Sequence, residues 1–156
     1  TIDKFIGDAV YAIFGAPVYF PDHAERAVKA AVQMLKVFQA FKKEWIERDE
    51  RFAPMDLKVA IGTGEALVGN IGSRRRMEFT SFGEAPSICE QLEDIAKAGQ
   101  ILIDEDALSS LKEAVPANPY EGHTVTTTSG TRPVFNVDWR KIELDPETAE
   151  AVMEQL

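Results

Sequence analysis

Hydrophobic and polar positions follow two periods along this chain, and the changes between them mark the predicted elements. Over residues 1–15, branched and aromatic residues form two short runs around Gly7-Asp8, which predicts a β-hairpin with a type II′ turn. Over residues 22–48, apolar residues recur every three or four positions, which predicts one long amphipathic helix. Asp22 and Glu25 have the spacing of a capping box at its start.

Shorter elements follow in the rest of the chain. The pattern predicts strands at residues 56–61, 66–68, 77–82, 100–103 and 134–139. It predicts helices at 87–97, from the cap residue Asp104, and from Asp145, with a loop at 115–131. This order of helices, strands and hairpins is typical of an α+β fold, which we expect to have one sheet with helices on one face.

Composition and charge exclude several classes of protein. The 156 residues fit one domain, and 45% hydrophobic with 28% charged residues is typical of a globular protein. The single cysteine, Cys89, excludes an internal disulfide. A net charge of −9 argues against a nucleic-acid partner, which requires a basic surface to replace counterions on phosphates. A nucleotide remains a candidate ligand if metal ions provide the positive charge.

The chain has neither a membrane-spanning apolar run nor the pattern of a signal peptide. A cytoplasmic location is therefore expected, with a tether to a membrane or a sensor domain left open outside this segment. Because Thr1 lies directly within a predicted strand, we expect the chain to be part of a longer protein.

Five segments together carry a functional pattern. They are residues 4–10 (KFIGDAV), 22–27 (DHAERA), 64–73 (GEALVGNIGS), 76–85 (RMEFTSFGEA) and 98–101 (AGQI). In this order and spacing they resemble the class III adenylate/guanylate cyclase family, over residues 1–139. The resemblance implies a ferredoxin-like α/β sandwich that lacks its first strand and the helices after it. Residues 140–156 would then form a terminal extension with a short helix.

Asp8 is the candidate metal ligand. A carboxylate at a hairpin tip is uncrowded and can hold a hard cation, although Gly7-Asp8 can also be a simple turn. The resemblance makes Asp8 one of two aspartates that hold a pair of Mg²⁺ or Mn²⁺ ions. In the family the other aspartate lies on a strand upstream of residue 1, so a longer chain or another subunit is expected to supply it. Without that strand, a central edge of the sheet is expected to be open.

Lys4 and Thr80 are the candidate substrate-binding pair. In the family, a lysine and an aspartate or threonine at these positions accept adenine, whereas guanylate cyclases tend to have glutamate at the first. A lysine ammonium is a suitable donor to a ring nitrogen. ATP is therefore the favoured nucleotide, while Lys4 as a solvated strand residue is the alternative.

Two catalytic positions depart from the family pattern. After the Gly83 region the family has an asparagine that orients the ribose and, four residues later, an arginine that stabilises charge on the reacting phosphate. Ser87 and Gln91 stand at these positions here. Glutamine is neutral and cannot form a charged bidentate fork, and one lost transition-state donor typically costs roughly 10²–10³ in rate. Ser87 and Gln91 are therefore degenerate catalytic positions.

The family lysine that contacts the terminal phosphates is also missing. Residues 129–132 read Ser-Gly-Thr-Arg. Arg132 is the candidate replacement, one position further along, although one step along a strand turns a side chain to the other face.

The resemblance implies an adenylate cyclase-like function with reduced or conditional activity, converting ATP to cyclic AMP and pyrophosphate. The family acts as a head-to-tail dimer, so a homodimer, or a heterodimer with another cyclase domain that supplies asparagine and arginine, is expected. The alternative is a catalytically degenerate cyclase that acts as a nucleotide-binding or dimerisation regulatory module. A structural protein without a ligand is the third hypothesis.

Overall fold

The computed structural model describes residues 1–144. The predicted terminal helix from Asp145, and with it most of the predicted extension 140–156, lies outside these residues. Within the described part of the chain, no helix is long and apolar enough to cross a membrane.

The mixed α+β architecture predicted from the sequence is confirmed. In chain order the elements are β1 (Ile2–Ile6), β2 (Ala9–Ala12), α1 (His23–Arg48), β3 (Val59–Ile61), β4 (Ala66–Ser73), β5 (Arg76–Gly83), α2 (Glu84–Ile95), β6 (Ile101–Asp104), α3 (Glu105–Ser109), β7 (Ala117–Thr127) and β8 (Gly130–Val137). Short 3₁₀ turns follow α1 and β8.

The strands form one four-stranded sheet and two hairpin ribbons. The sheet has the order β3-β6-β8-β7, in which β3 and β6 are parallel and the other pairs are antiparallel. The ribbons are β1-β2 and β4-β5. The first ribbon turns at Gly7, whose φ of +63° suits the predicted type II′ turn.

The hydrophobic core lies on both faces of the four-stranded sheet, so the expectation of helices on one face was wrong. Ile101 and Ile103 of β6 pack with α1 and α3, whereas Leu102, which points the other way, packs with Ile88 and Leu92 of α2. All four residues of β6 are buried, as in a strand that is covered on both sides.

Several sequence predictions of local structure were wrong. The predicted loop at 115–131 is instead the hairpin of β7 and β8, which turns before Gly130. Pro119 is tolerated because β7 is an edge strand, where a missing N–H needs no partner. Asp22 makes no side-chain cap bond to α1; its carboxylate instead accepts from Arg26 at 2.9 Å. Helix α2 begins at Glu84, three residues before the predicted start.

An open edge of the sheet faces a cavity. Within residues 1–144, strand β3 has no paired strand on its outer side and β2 pairs only with β1. Both strands line a cavity of about 490 Å³ that α1 and α2 also border. Helix α2 approaches β3 closely here, since a Cβ at Gly62 would lie 2.6 Å from the Cys89 backbone nitrogen.

Candidate functional site

The two candidate base-reading residues are in direct contact. The Lys4 ammonium on β1 donates to the Thr80 hydroxyl on β5 at 2.9 Å, across 76 residues of sequence. The Thr80 hydroxyl in turn donates to Oδ2 of Asp3 at 2.8 Å. The chain Lys4–Thr80–Asp3 therefore joins the first hairpin to the second ribbon through polar side chains, and we call it the base triad.

The three residues of the base triad differ in solvent exposure, from a buried Asp3 to a partly exposed Lys4. The Asp3 side chain is completely covered, Thr80 is 8% exposed and the Lys4 side chain is 37% exposed. The second Asp3 oxygen, Oδ1, has no hydrogen-bond partner among the described residues and lies 3.4 Å from the Lys4 ammonium. The Lys4 ammonium, a cationic donor, therefore lies nearer the surface, and the Asp3 carboxylate lies inside.

A second polar contact holds the same junction beside the base triad. The Tyr11 hydroxyl of β2 lies 3.0 Å from the Ser81 hydroxyl of β5. Burial raises the pKa of Tyr11 above its ordinary value, against a lowering effect of the Ser81 hydrogen bond. Tyr11 is the cross-strand partner of Lys4, but the bond between Tyr11 and Ser81 uses neither the Lys4 ammonium nor the Thr80 hydroxyl. This bond therefore offers a matched control for substitutions in the base triad.

Asp8 lies at the exposed turn between β1 and β2. Among the described residues, no hydrogen bond or ion pair engages its carboxylate, which is therefore available to a ligand. No group of three or more His, Cys, Asp or Glu residues within 1–144 could hold a metal by itself. Mg²⁺ is usually bound by one or two carboxylates together with substrate phosphates, so Asp8 fits as one ligand of a shared site.

The two positions predicted to be degenerate, Ser87 and Gln91, lie one turn apart on α2. The Gln91 amide donates to the Thr126 carbonyl at 3.0 Å and accepts from the Thr126 N–H at 2.7 Å. It also donates to the Ser87 carbonyl at 3.2 Å. Because β7 is an edge strand, Gln91 satisfies backbone groups that no neighbouring strand pairs. Gln91 is thus engaged within its own subunit.

Arg132, the candidate for the terminal phosphates, is also engaged internally. Its guanidinium donates to Oδ2 of Asp104 at 3.2 Å and to Oε2 of Glu84 at 3.2 Å, and it pairs with Asp106 at 3.0 Å. Its side chain is only 15% exposed. We call Arg132, Glu84, Asp104 and Asp106 the arginine cluster. It joins β8, α2, β6 and α3, and two of its members, Arg132 and Glu84, line an open pocket of about 830 Å³.

The surroundings shift the pKa values of two carboxylates of the arginine cluster in opposite directions. Burial raises the pKa of Asp104, against hydrogen bonds from the Thr63 N–H and from Arg132. Burial acts in the same direction on Glu84, but the Thr128 hydrogen bonds and the charge of Arg132 outweigh it and lower its pKa. Neighbouring carboxylates raise the pKa of Arg132 despite its burial, so it remains a cation.

Sequence reasoning missed Asp3 and the acidic partners of Arg132. Asp3 directly precedes Lys4, and a carboxylate inside an apolar strand was a visible signal that it faces a partner. Asp104 was predicted to cap a helix, but it makes no side-chain cap bond to α3 and instead accepts from Thr63 and Arg132. No local pattern indicated that Glu84 would reach Arg132, 48 residues away.

Residues 3–145 match the family described as the adenylate and guanylate cyclase catalytic domain. Adenylate cyclase 1 of Rhizobium meliloti (strain 1021) is 29% identical over 121 residues, which cover 76% of this chain and 18% of that protein. The terminal-differentiation-specific adenylate cyclase of Dictyostelium discoideum is 32% identical over 121 residues, covering 73% and 5%. The chain thus spans less than a fifth of either relative.

Solved structures with the same fold include catalysts for both purine nucleotides. The adenylyl cyclase CyaB from P. aeruginosa matches with a TM-score of 0.73 and 28% identity, over 94% of this chain and 73% of that one. The guanylyl cyclase Cya2 matches with a TM-score of 0.67 and 30% identity, over 88% and 68%.

Proposed function

The chain belongs to the family of class III adenylate and guanylate cyclase catalytic domains, and we propose that it is an adenylate cyclase-like half-site of low or conditional activity. The reaction would convert ATP to cyclic AMP and pyrophosphate by attack of the 3′-hydroxyl on the α-phosphate. The observation that carries the proposal is the 2.9 Å contact between Lys4 and Thr80.

Lys4 and Thr80 bind the base in this proposal. Their two side chains come from elements far apart in sequence, yet they meet at a partly exposed junction. The Lys4 ammonium has three hydrogens and no acceptor capacity. With one hydrogen donated to Thr80, it retains donors for a purine ring nitrogen, which favours ATP.

Asp8 acts at the other end of the nucleotide. Its free carboxylate would hold one divalent ion together with phosphate oxygens. When bound, a pair of Mg²⁺ or Mn²⁺ ions polarises the reacting phosphate and the attacking hydroxyl. The second carboxylate of such a pair comes from outside residues 1–144 in this proposal.

Gln91 explains why the activity is low. An arginine at this position would carry a charge and a planar fork toward the phosphate. Gln91 has neither, and both ends of its amide are already bonded to Thr126. A nucleotide that relies on this subunit for transition-state stabilisation therefore reacts slowly.

A dimer completes the site in this proposal. Both ribbons present large exposed apolar side chains, which are Ile2, Phe5, Ile6, Val10, Leu67, Met77 and Phe82. An apolar surface of this kind is typical of a face that binds another protein. A heterodimer in which the partner provides asparagine and arginine would be more active than the homodimer.

The second candidate function is a regulatory module that binds nucleotide without turnover. The internal bonds of Gln91 and Arg132 favour it, because the groups nearest to the expected phosphates already have partners. Nucleotide binding at Lys4 and Thr80 is common to both functions.

A complementation assay tests the proposal. The full-length protein is incubated with ATP and Mn²⁺, alone and mixed with a complete cyclase domain whose metal aspartates have been replaced. Cyclic AMP that forms mainly in the mixture supports the conditional enzyme, because only then does one site contain Asp8 together with asparagine and arginine. An Asp8→Asn variant serves as the control and should abolish the signal from the mixture.

Two results would redirect the proposal. Rapid turnover by the protein alone would show that Ser87 and Gln91 do not impair the site. A mixture that stays inactive, while ATP raises the melting temperature of the protein alone, would favour the regulatory module, because a ligand of the folded state stabilises it.

A further inference from the structure

We infer that Asp3 is a specificity-determining residue, which fixes the direction of the Thr80 hydroxyl so that the site prefers adenine to guanine. The inference rests on the proposed function, since it requires a purine at Lys4 and Thr80. It adds a third residue to that pair, and this residue contacts Thr80 directly rather than the base.

The direction of both hydrogen bonds in the base triad follows from the chemistry of the end groups. An ammonium only donates and an ionised carboxylate only accepts. Lys4 must therefore donate to Thr80, and Thr80 must use its only hydroxyl hydrogen on Asp3 at 2.8 Å. Within the described residues, no other acceptor competes for that hydrogen.

A threonine hydroxyl has one hydrogen and two lone pairs. The hydrogen belongs to Asp3 and one lone pair belongs to Lys4. Thr80 can therefore offer a ligand only an acceptor. With Lys4 donating to the ring nitrogen, Thr80 faces the neighbouring exocyclic group. That group is an amine, which donates, in adenine, and a carbonyl oxygen, which accepts, in guanine.

Burial makes the constraint firm. The Asp3 side chain is completely covered, so water does not compete for its bond to Thr80. Its other oxygen lies 3.4 Å from the Lys4 ammonium, which holds the carboxylate in place. Guanine would place its carbonyl oxygen against the free lone pair of Thr80. Neither of these two desolvated acceptors would then have a hydrogen-bond donor.

The isosteric variant Asp3→Asn is the sharpest test. The positive charge of Lys4 should attract the amide oxygen, which leaves the amide NH₂ facing Thr80. Thr80 would then accept from both neighbours, and its hydrogen would be free to donate to a guanine oxygen. The binding constants of the 3′-deoxy forms of ATP and GTP, which lack the attacking hydroxyl, are measured by calorimetry with Mn²⁺ and the full-length protein.

We expect the wild type to bind the adenine nucleotide more tightly and Asp3→Asn to reduce that preference by about tenfold or more, the effect of one redirected hydrogen bond. Asp3→Leu, which removes the acceptor and frees the hydroxyl to rotate, should reduce the preference by a smaller factor. Tyr11→Phe is the matched control, because it removes the neighbouring junction bond to Ser81 and should leave the preference unchanged.

The possible failures are distinguishable. If Asp3→Asn folds, by circular dichroism, and weakens both nucleotides equally, Asp3 is merely structural and the inference is overturned. An unchanged preference in both Asp3 variants overturns it as well. If the wild type binds neither nucleotide, the proposed function fails and the inference fails with it.

Discussion

The base triad and the arginine cluster are both built from charged side chains, but they differ in what they leave available. In the base triad, Lys4 is 37% exposed and retains unused donors. In the arginine cluster, three carboxylates surround Arg132, whose side chain is 15% exposed. One region leaves a cation partly exposed, and the other is satisfied within the subunit.

This difference divides the candidate site into two halves. One half has an accessible donor at Lys4, and the side chains of the other are bonded within the subunit. Gln91 belongs with the arginine cluster in this respect, since its amide binds the backbone of β7 rather than projecting freely. In the proposed function, the chain therefore keeps the groups expected to select a base. The groups expected near the phosphate are instead bonded within the subunit.

The largest expected effect comes from reversing that replacement. Ser87→Asn combined with Gln91→Arg should raise cyclic AMP formation by roughly 10²–10³, because it restores the ribose contact and the charged fork. The rate is measured with a partner cyclase domain that supplies metal aspartates but lacks its own asparagine and arginine. Only the substituted chain can then complete the site.

A second double variant separates the effect of the positive charge from that of the bidentate guanidinium geometry. Ser87→Asn with Gln91→Lys adds the same net charge but not the bidentate geometry. It should recover less activity than the arginine version. Equal rates for the two variants would mean that charge alone was missing, and no gain in either would contradict the division into two halves.

A smaller effect is expected on stability. Gln91→Leu removes two hydrogen bonds to Thr126 and should lower the free energy of unfolding by about 1–2 kcal/mol. Urea unfolding followed by circular dichroism measures it. Ser87→Ala, one turn earlier on the exposed side of α2, is the matched control and should change stability little. An unaltered midpoint in Gln91→Leu would show that the amide does not stabilise β7.

The smallest effect concerns pH, and its sign differs between two members of the arginine cluster. The pKa of Asp104 is raised above its ordinary 3.8 by burial, so its contribution to stability falls as pH rises through the raised pKa. The pKa of Glu84 is lowered below its ordinary 4.5, because the Thr128 bonds and Arg132 outweigh burial. Its contribution is lost as pH falls through the lowered pKa.

Asp104→Asn and Glu84→Gln should therefore change the pH profile of stability in opposite ways. Relative to the wild type, Asp104→Asn gains stability with rising pH, and Glu84→Gln loses it. Urea unfolding from about pH 3 to pH 7 tests both. Parallel profiles for the two variants would contradict the assignment of opposite shifts.

Local patterns were sufficient for much of the fold and for part of the site. Periodicity located α1 and the first hairpin, and β6 was predicted within one residue. Lys4 and Thr80 were paired through resemblance, and the structure joins their side chains by a hydrogen bond of 2.9 Å.

Long-range choices were not predictable. Prolines and glycines made residues 115–131 resemble a loop, although the Thr-rich run forms an edge strand that pairs with β8. Only the structure shows that helices cover both faces of the sheet, because Leu102 packs with α2 while Ile101 and Ile103 pack with α1. The local sequence favours Asp104 as a helix cap, but in the structure its side chain pairs with Arg132, which is distant in sequence.

The most direct measurement is the affinity of the full-length protein for 3′-deoxy-ATP with Mn²⁺, compared with that of a Lys4→Met variant of similar length but no charge. A charged hydrogen bond to the base is worth roughly tenfold to a hundredfold in affinity, so Lys4→Met should bind weaker by that factor while remaining folded. Equal affinities of the wild type and the variant would contradict the claim that the Lys4–Thr80 junction binds a nucleotide.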